Sequence, residues 1–170
     1  MNKNRQAKVT TRAGTVEGNY EDGLYVFKGV PYAAPPVGKL RWLPPQPVKP
    51  WKGSRLAKKY SPGCPHNLIK MDIVVFNVQT EVQDEDCLYL NIWSQGLDNA
   101  RRPVMVWIHG GGFQRGSGSQ PEMDGSKLAK RGDVVIVTIN YRLTVFGFLW
   151  SQVVACWNSL IFFPYKSRKL

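Results

Sequence analysis

Apolar and polar positions alternate from the start of the chain. Val9-Thr10-Thr11 and Thr15-Val16-Glu17-Gly18 flank a turn at Ala13-Gly14, so Val9 to Tyr20 reads as a β-hairpin. A short apolar run, Leu24-Tyr25-Val26-Phe27, follows the polar turn Glu21-Asp22-Gly23. Pro31 to Pro50 then holds seven prolines. Proline removes a backbone donor and steers the preceding residue away from helix, so this segment is predicted extended and irregular. Its aromatics, Tyr32 and Trp42 with Trp51 just beyond, would pin it to a folded body; a free linker is the other reading. After Cys87, Leu88, Leu90 and Ile92 alternate with Tyr89, Asn91 and Trp93, the period of a half-covered strand. Val104–Ile108 and Val134–Ile139 are continuous apolar runs, as in strands covered on both faces of a parallel sheet. Between them, Gly125 to Gly132 reads as a short helix with a glycine C-cap. Strand, glycine loop, helix and strand make a βαβ unit, and the class is α/β: a small antiparallel hairpin, then a mixed or parallel sheet.

The 170 residues suffice for one domain, and 43% hydrophobic residues exclude a disordered composition. Twelve prolines and sixteen glycines exclude a helix bundle, and three cysteines a disulfide-built miniprotein. The net charge of +11 is uneven: residues 1–71 hold thirteen Lys/Arg and three acids, and no acid falls between Lys28 and Lys70. Such a stretch invites a nucleic-acid or anionic-membrane reading. Without helical spacing it is better explained by acids on a partner or on chain not present here, so neither nucleic acid nor membrane is expected as a partner. The polar start, Met1 to Gln6, has no apolar core of a signal peptide, which leads to the expectation of a cytoplasmic chain.

Candidate chemistry lies in Ile108-His109-Gly110-Gly111-Gly112-Phe113, directly after an apolar strand. Three successive glycines cost backbone entropy, so they serve a steric purpose. Without Cβ atoms, N–H groups can turn toward one point and receive a phosphate or the oxyanion of a tetrahedral intermediate. A dinucleotide fingerprint fails because Arg115 stands where the third glycine belongs. A P-loop fails because Gly116 is followed by Ser117-Gly118 rather than Lys-Ser/Thr. HGGG after a strand is the lipase/esterase oxyanion pattern.

At this point the chain resembles the type-B carboxylesterases, the family that includes the cholinesterases. Phe27-Lys28-Gly29-Val30-Pro31-Tyr32-Ala33 and Pro35-Pro36-Val37-Gly38-Lys39-Leu40-Arg41-Trp42 resemble the family's N-terminal loop. Glu85-Asp86-Cys87-Leu88-Tyr89-Leu90-Asn91-Ile92 is similar to its acidic-cysteine signature, and Val106 to Phe113 to its oxyanion loop. Asn140-Tyr141-Arg142-Leu143 and Phe146-Gly147-Phe148-Leu149 match the segment after the next strand. The likeness spans residues 8–149. It implies the N-terminal part of an α/β-hydrolase fold and hydrolysis of a small carboxylic ester through a Ser-His-Glu/Asp triad, without a cofactor. It also implies that the N–H groups of Gly111 and Gly112 contribute to the oxyanion hole, with His109 and Gly110 supporting that loop. Cys64 and Cys87 match the family's first disulfide, which contributes ~3 kcal/mol in an oxidising compartment; in the cytosol they would stay thiols. Arg41 is implied to pair with Glu85. Strand alternation sets Glu85 opposite Asp84 and Asp86, and Cys64-Pro65-His66 has no second ligand pair at zinc spacing, so no metal is expected.

The nucleophile elbow G-x-S-x-G of the family is missing: none of the nine serines has glycine at both required positions. Residues 150–170 resemble nothing in the family. The expectation is a truncated product with an altered tail, inactive alone and poorly soluble because its sheet stops early. The uncharged run Leu143–Tyr165 also has the length of a membrane anchor, although Leu143–Leu149 belongs to the family match. The alternatives to an inactive esterase fragment are a non-catalytic interaction module and a basic fragment associated with membrane or nucleic acid.

Overall fold

The computed structural model describes residues 6–67 and 82–149. The tail at 150–170, with its readings as altered sequence or anchor, lies outside the described residues, as does Lys70. The chain runs through β1 (Lys8–Thr10), β2 (Thr15–Glu17), β3 (Asn19–Glu21), β4 (Leu24–Pro31), β5 (Ser54–Leu56), β6 (Tyr89–Ser94), β7 (Val104–Ile108), α1 (Ser126–Gly132), β8 (Val135–Ile139) and α2 (Thr144–Phe148). Two sheets form, β1-β2-β5 and β3-β4-β6-β8-β7.

The hairpin is β1 against β2, with Val9 opposite Val16. Tyr20 does not belong to it. The chain crosses at Gly18, and Tyr20 pairs with Tyr25 in the larger sheet. The apolar run at Leu24 extends four residues further than its hydrophobic pattern, to Pro31, because β6 pairs with it across a register shift between Phe27 and Val30. The proline-rich segment is no linker. Tyr32 donates its hydroxyl proton to the Asn140 carbonyl at 2.6 Å, Trp42 stacks on Phe146 at 5.8 Å, and the Trp51 indole N–H donates to the Thr15 carbonyl at 3.0 Å. Trp51 also seats the unexpected strand β5, which runs parallel to β2, with Arg55 lying 4.4 Å over the indole ring. Part of the basic excess is neutralised locally, by Lys58–Glu17 and Lys28–Glu21 ion pairs at 2.5 and 3.6 Å.

The core has three parts. Between the sheets lie Val16, Phe27, Val30 and Ala57, with Leu90 and Ile92 of β6 packed against them. On the other face of the larger sheet, Leu24, Val26, Trp93 and Ile136 meet Ala129 of α1. Strand β6 is therefore covered on both faces rather than half-covered: it is central, antiparallel to both β4 and β8, and its Asn91 is buried. A third cluster gathers Cys64, Cys87, Leu88, Tyr141 and Leu143. Leu143, fully buried, heads a single-turn helix within the fold. Among the described residues no helix is long and apolar enough to cross a membrane.

Helix α1 closes differently from its expected glycine cap. Gly132 is its last residue, and Asp133 takes the left-handed conformation (φ 46°). Asn and Asp accept that conformation more readily than other non-glycine residues. Its carboxylate accepts from Arg102 Nε at 2.6 Å.

Strand β7 is the main departure from expectation. It pairs in parallel with β8, completing the βαβ unit. It is nevertheless an edge strand, and all five side chains, expected inside, are exposed, from 53% for Met105 and Trp107 to 64% for Ile108. Apolar runs mark strands that need cover on both faces, and no other described element supplies it here. An uncovered edge of this kind templates pairing between chains. The register sets Met105 beside Ile136 and Val106 beside Val137, on opposite faces. Met105→Lys with Val106→Lys is therefore expected to raise the monomer fraction on the order of tenfold by light scattering. A monodisperse unsubstituted chain that binds no apolar dye would sink this prediction.

Candidate active site

The glycine loop begins where β7 ends. His109 is 3% exposed and lies face to face with Tyr141, centroids 4.4 Å apart. Its Nδ1 is 2.8 Å from the Gly110 carbonyl. A carbonyl only accepts, so Nδ1 carries the proton. Burial pushes the imidazole below its ordinary value, against the opposing pull of that carbonyl, and His66 adds a smaller push in the same direction as burial. The ring is thus neutral. The Tyr141 hydroxyl donates to the His109 carbonyl at 2.8 Å, fixing the start of the loop.

Two of the glycines are required by space. Gly111 has φ 123°, and a Cβ there would lie 2.1 Å from the Arg115 carbonyl oxygen. Gly116 has φ 104°, and its Cβ would fall 2.6 Å from His109 Nδ1. Phe113 is not glycine and still takes φ 61°, while Thr144 across from it takes φ 53°. A left-handed β-branched residue is an outlier that its surroundings must enforce. The enforcing bond runs between the two strained residues, from the Thr144 N–H to the Phe113 carbonyl at 2.8 Å. Among the described residues, no group accepts the N–H of Gly111 or Gly112. Gly112, Phe113, Arg115, Val145 and Phe148 line a concavity of about 750 Å³ beside the loop.

Behind the loop lies a polar network that the alternation pattern does not reveal. The Gly118 carbonyl accepts from Thr138 Oγ1 at 2.7 Å and Asn91 Nδ2 at 3.2 Å, and the Gly118 N–H donates to Asn140 Oδ1 at 2.8 Å. Asn91 Oδ1 also takes the Gly29 N–H at 3.0 Å, and Asn140 Nδ2 donates to the Pro62 carbonyl at 3.1 Å. All three side chains are buried. Buried amides tolerate only satisfied geometries, so this network fixes where the loop returns to the sheet. An asparagine within an otherwise apolar strand is the available signal.

Cys64 and Cys87 are joined as a disulfide, with Cα atoms 5.0 Å apart. Arg41 holds Glu85 through two bonds, Nε to Oε2 at 2.5 Å and Nη2 to Oε1 at 2.8 Å. Residues 84–86 do not form a strand, contrary to expectation, because local turns set these acids. Asp84 caps the Asp86 N–H at 2.8 Å, and Asp86 accepts from the Tyr89 hydroxyl at 3.1 Å. His66 Nδ1 donates to the Cys64 carbonyl at 2.7 Å. Among the described residues no three His, Cys, Asp or Glu are grouped to hold a metal ion.

The profile of the carboxylesterase family matches residues 5–155. The chain belongs to the carboxylesterase family. It is 47% identical over 143 residues to a para-nitrobenzyl esterase of Bacillus subtilis, covering 83% of this chain and 28% of that protein. It is 48% identical over 140 residues to a phenmedipham hydrolase of Pseudarthrobacter oxydans, covering 82% and 28%. The crystal structure of a Geobacillus stearothermophilus carboxylesterase superposes with a TM-score of 0.74 at 48% identity, covering 84% of this chain and 28% of that one. The fold is thus that of an α/β-hydrolase over its N-terminal part, and the chain spans little more than a quarter of the length of these carboxylesterases.

Proposed function

We propose that this chain forms the oxyanion-binding part of a serine carboxylesterase site for small-molecule esters and, by itself, hydrolyses none. The observation that carries the reading is the glycine loop, with the Gly111 and Gly112 N–H groups unclaimed among the described residues and an apolar concavity beside them. Fixed donors of this kind act on the charge that develops on the ester carbonyl oxygen. His109 serves as support: it is neutral, buried and bonded within the loop, a poor placement for a base. Gly110 supplies the carbonyl that holds it.

Hydrolysis also needs a nucleophile paired with a base. The serines nearest the loop do not qualify. Ser117 is 1% exposed and its Oγ accepts the Ser119 N–H at 2.9 Å, while the Ser119 hydroxyl is itself buried. Cys64 and Cys87 are tied to each other. The test is incubation of the chain with p-nitrophenyl butyrate beside labelling with a fluorophosphonate. We expect the blank rate and no label; a labelled serine with turnover would overturn the claim of inactivity. A cytoplasmic placement remains part of the proposal. It conflicts with the disulfide, and thiol titration of the native chain distinguishes the two.

A further inference from the structure

The disulfide and the glycine loop meet at Asn140 and Tyr141. Both arms of the disulfide reach Asn140. On the Cys64 side, the Pro62 carbonyl accepts from Asn140 Nδ2 at 3.1 Å. On the Cys87 side, the Tyr89 carbonyl accepts the Asn140 N–H at 3.0 Å. Asn140 and Tyr141 also hold both ends of the glycine loop. Asn140 Oδ1 takes the Gly118 N–H at 2.8 Å, and the Tyr141 hydroxyl donates to the His109 carbonyl at 2.8 Å. The Tyr141 ring, stacked on His109, belongs to the same buried cluster as both cysteines. Cys64 and Cys87 are themselves almost fully buried, so their reduction requires local opening. The pairing beside Cys64 is an isolated bridge from Gly63 to Gln83, with two backbone bonds of 2.9 and 3.0 Å rather than a continued ladder.

We infer that the Cys64–Cys87 disulfide is a redox latch on the glycine loop: joined, it holds Asn140 and Tyr141 against the two ends of the loop, and reduced by a dithiol it lets the oxyanion donors slacken. The inference rests on the oxyanion reading, because only then does a slack loop weaken the site. Fixed donors stabilise an oxyanion because they need no reorganisation, so freedom at the loop ends lowers their worth. In the reduction, one thiolate of the dithiol attacks a cystine sulfur and breaks the S–S bond, giving a mixed disulfide. The second thiol then closes the reductant into a cyclic disulfide. Two electrons pass to the protein, and the two protons of the dithiol end on Cys64 and Cys87 as thiols. The latch is thus closed in an oxidising compartment and open in a reducing one.

The whole chain, with and without dithiothreitol, tests this. Amide hydrogen exchange at Gly118 and Asn140 is expected to quicken about tenfold on reduction. Gly18 and Ala129, whose amides donate to the Ala7 and Gly125 carbonyls, should stay within about twofold. The monoanion of ethyl methylphosphonate serves as a tetrahedral probe, followed through the Gly111 and Gly112 amide resonances. It is expected to bind about tenfold more weakly to the reduced chain. Cys64→Ser with Cys87→Ser should reproduce the reduced behaviour and ignore dithiothreitol. Unchanged exchange at Gly118 and Asn140 in the fully reduced chain overturns the latch. Equal acceleration at all four amides also overturns it, because the disulfide then supports the whole fold rather than the loop. The phosphonate separates the latch from the oxyanion reading. Equal binding at Gly111 and Gly112 in both states keeps that reading and overturns the latch. Quickened exchange with no phosphonate shift in either state overturns the reading itself, and the regulation with it.

Discussion

Joining residues 1–149 of this chain to the part of Bacillus subtilis para-nitrobenzyl esterase beyond the matched segment is expected to give an enzyme active on p-nitrophenyl butyrate. In that chimera, Gly111→Ala is expected to lower kcat about 10²–10³-fold with KM within about threefold. The identity of 47% over the matched residues makes the exchange reasonable. The size of the loss follows from the oxyanion role proposed for Gly111. Its φ of 123° is one that alanine rarely adopts, and the new Cβ would meet the Arg115 carbonyl at 2.1 Å, a backbone atom that cannot rotate away. The loop must therefore shift, and its N–H groups leave the place proposed for the oxyanion. Losing one such donor costs about 2.7–4 kcal/mol of transition-state stabilisation and little ground-state affinity. Gly110→Ala is the control, since a Cβ there meets nothing within 4 Å; it should keep kcat within about twofold. A Gly111→Ala chimera with unimpaired kcat would remove the oxyanion assignment.

What is legible from the residues, and what is not, divides along a physical line. The hairpin at Val9–Val16, the βαβ unit from Val104 to Ile139 and the glycine loop are all legible, because each depends on local pattern or local backbone chemistry. The strand at Ser54–Leu56 is not: it has neither alternation nor length, and it exists because β2 and Trp51 hold it. By alternation alone Asn91 falls on the polar side of a half-exposed strand, whereas position within the sheet makes it a buried anchor. The converse holds for Val104–Ile108, whose apolar run announces a need for cover that the described residues leave unmet. Pattern reports what a segment requires, while burial reports what its neighbours provide. The two disagree at β7, the edge next to the glycine loop.

Arg142→Met is expected to stabilise this chain by about 2 kcal/mol, read as a rise of about 1 M in the urea midpoint. Arg142 is 4% exposed. One arm of its guanidinium, Nη1, donates to the Arg41 carbonyl at 2.8 Å, and the other, Nη2, is buried without a partner among the described residues. Glu85, which pairs with that same Arg41, is already taken through both oxygens. Burial accordingly pushes the Arg142 guanidinium below its ordinary range, against a lesser opposing effect from Tyr32. A buried charge with an open donor is among the costliest features a fold can carry, and methionine fills similar volume without that cost. In the chimera the sign should reverse. If the added polypeptide brings an acid to Nη2, Arg142→Met deletes a buried ion pair and lowers the midpoint. The same substitution thus distinguishes two roles for Arg142. A gain in the chain with a loss in the chimera means that Nη2 awaits an anion from outside the described residues. A loss in both means that the single bond to the Arg41 carbonyl already justifies the buried charge, and no anion is awaited.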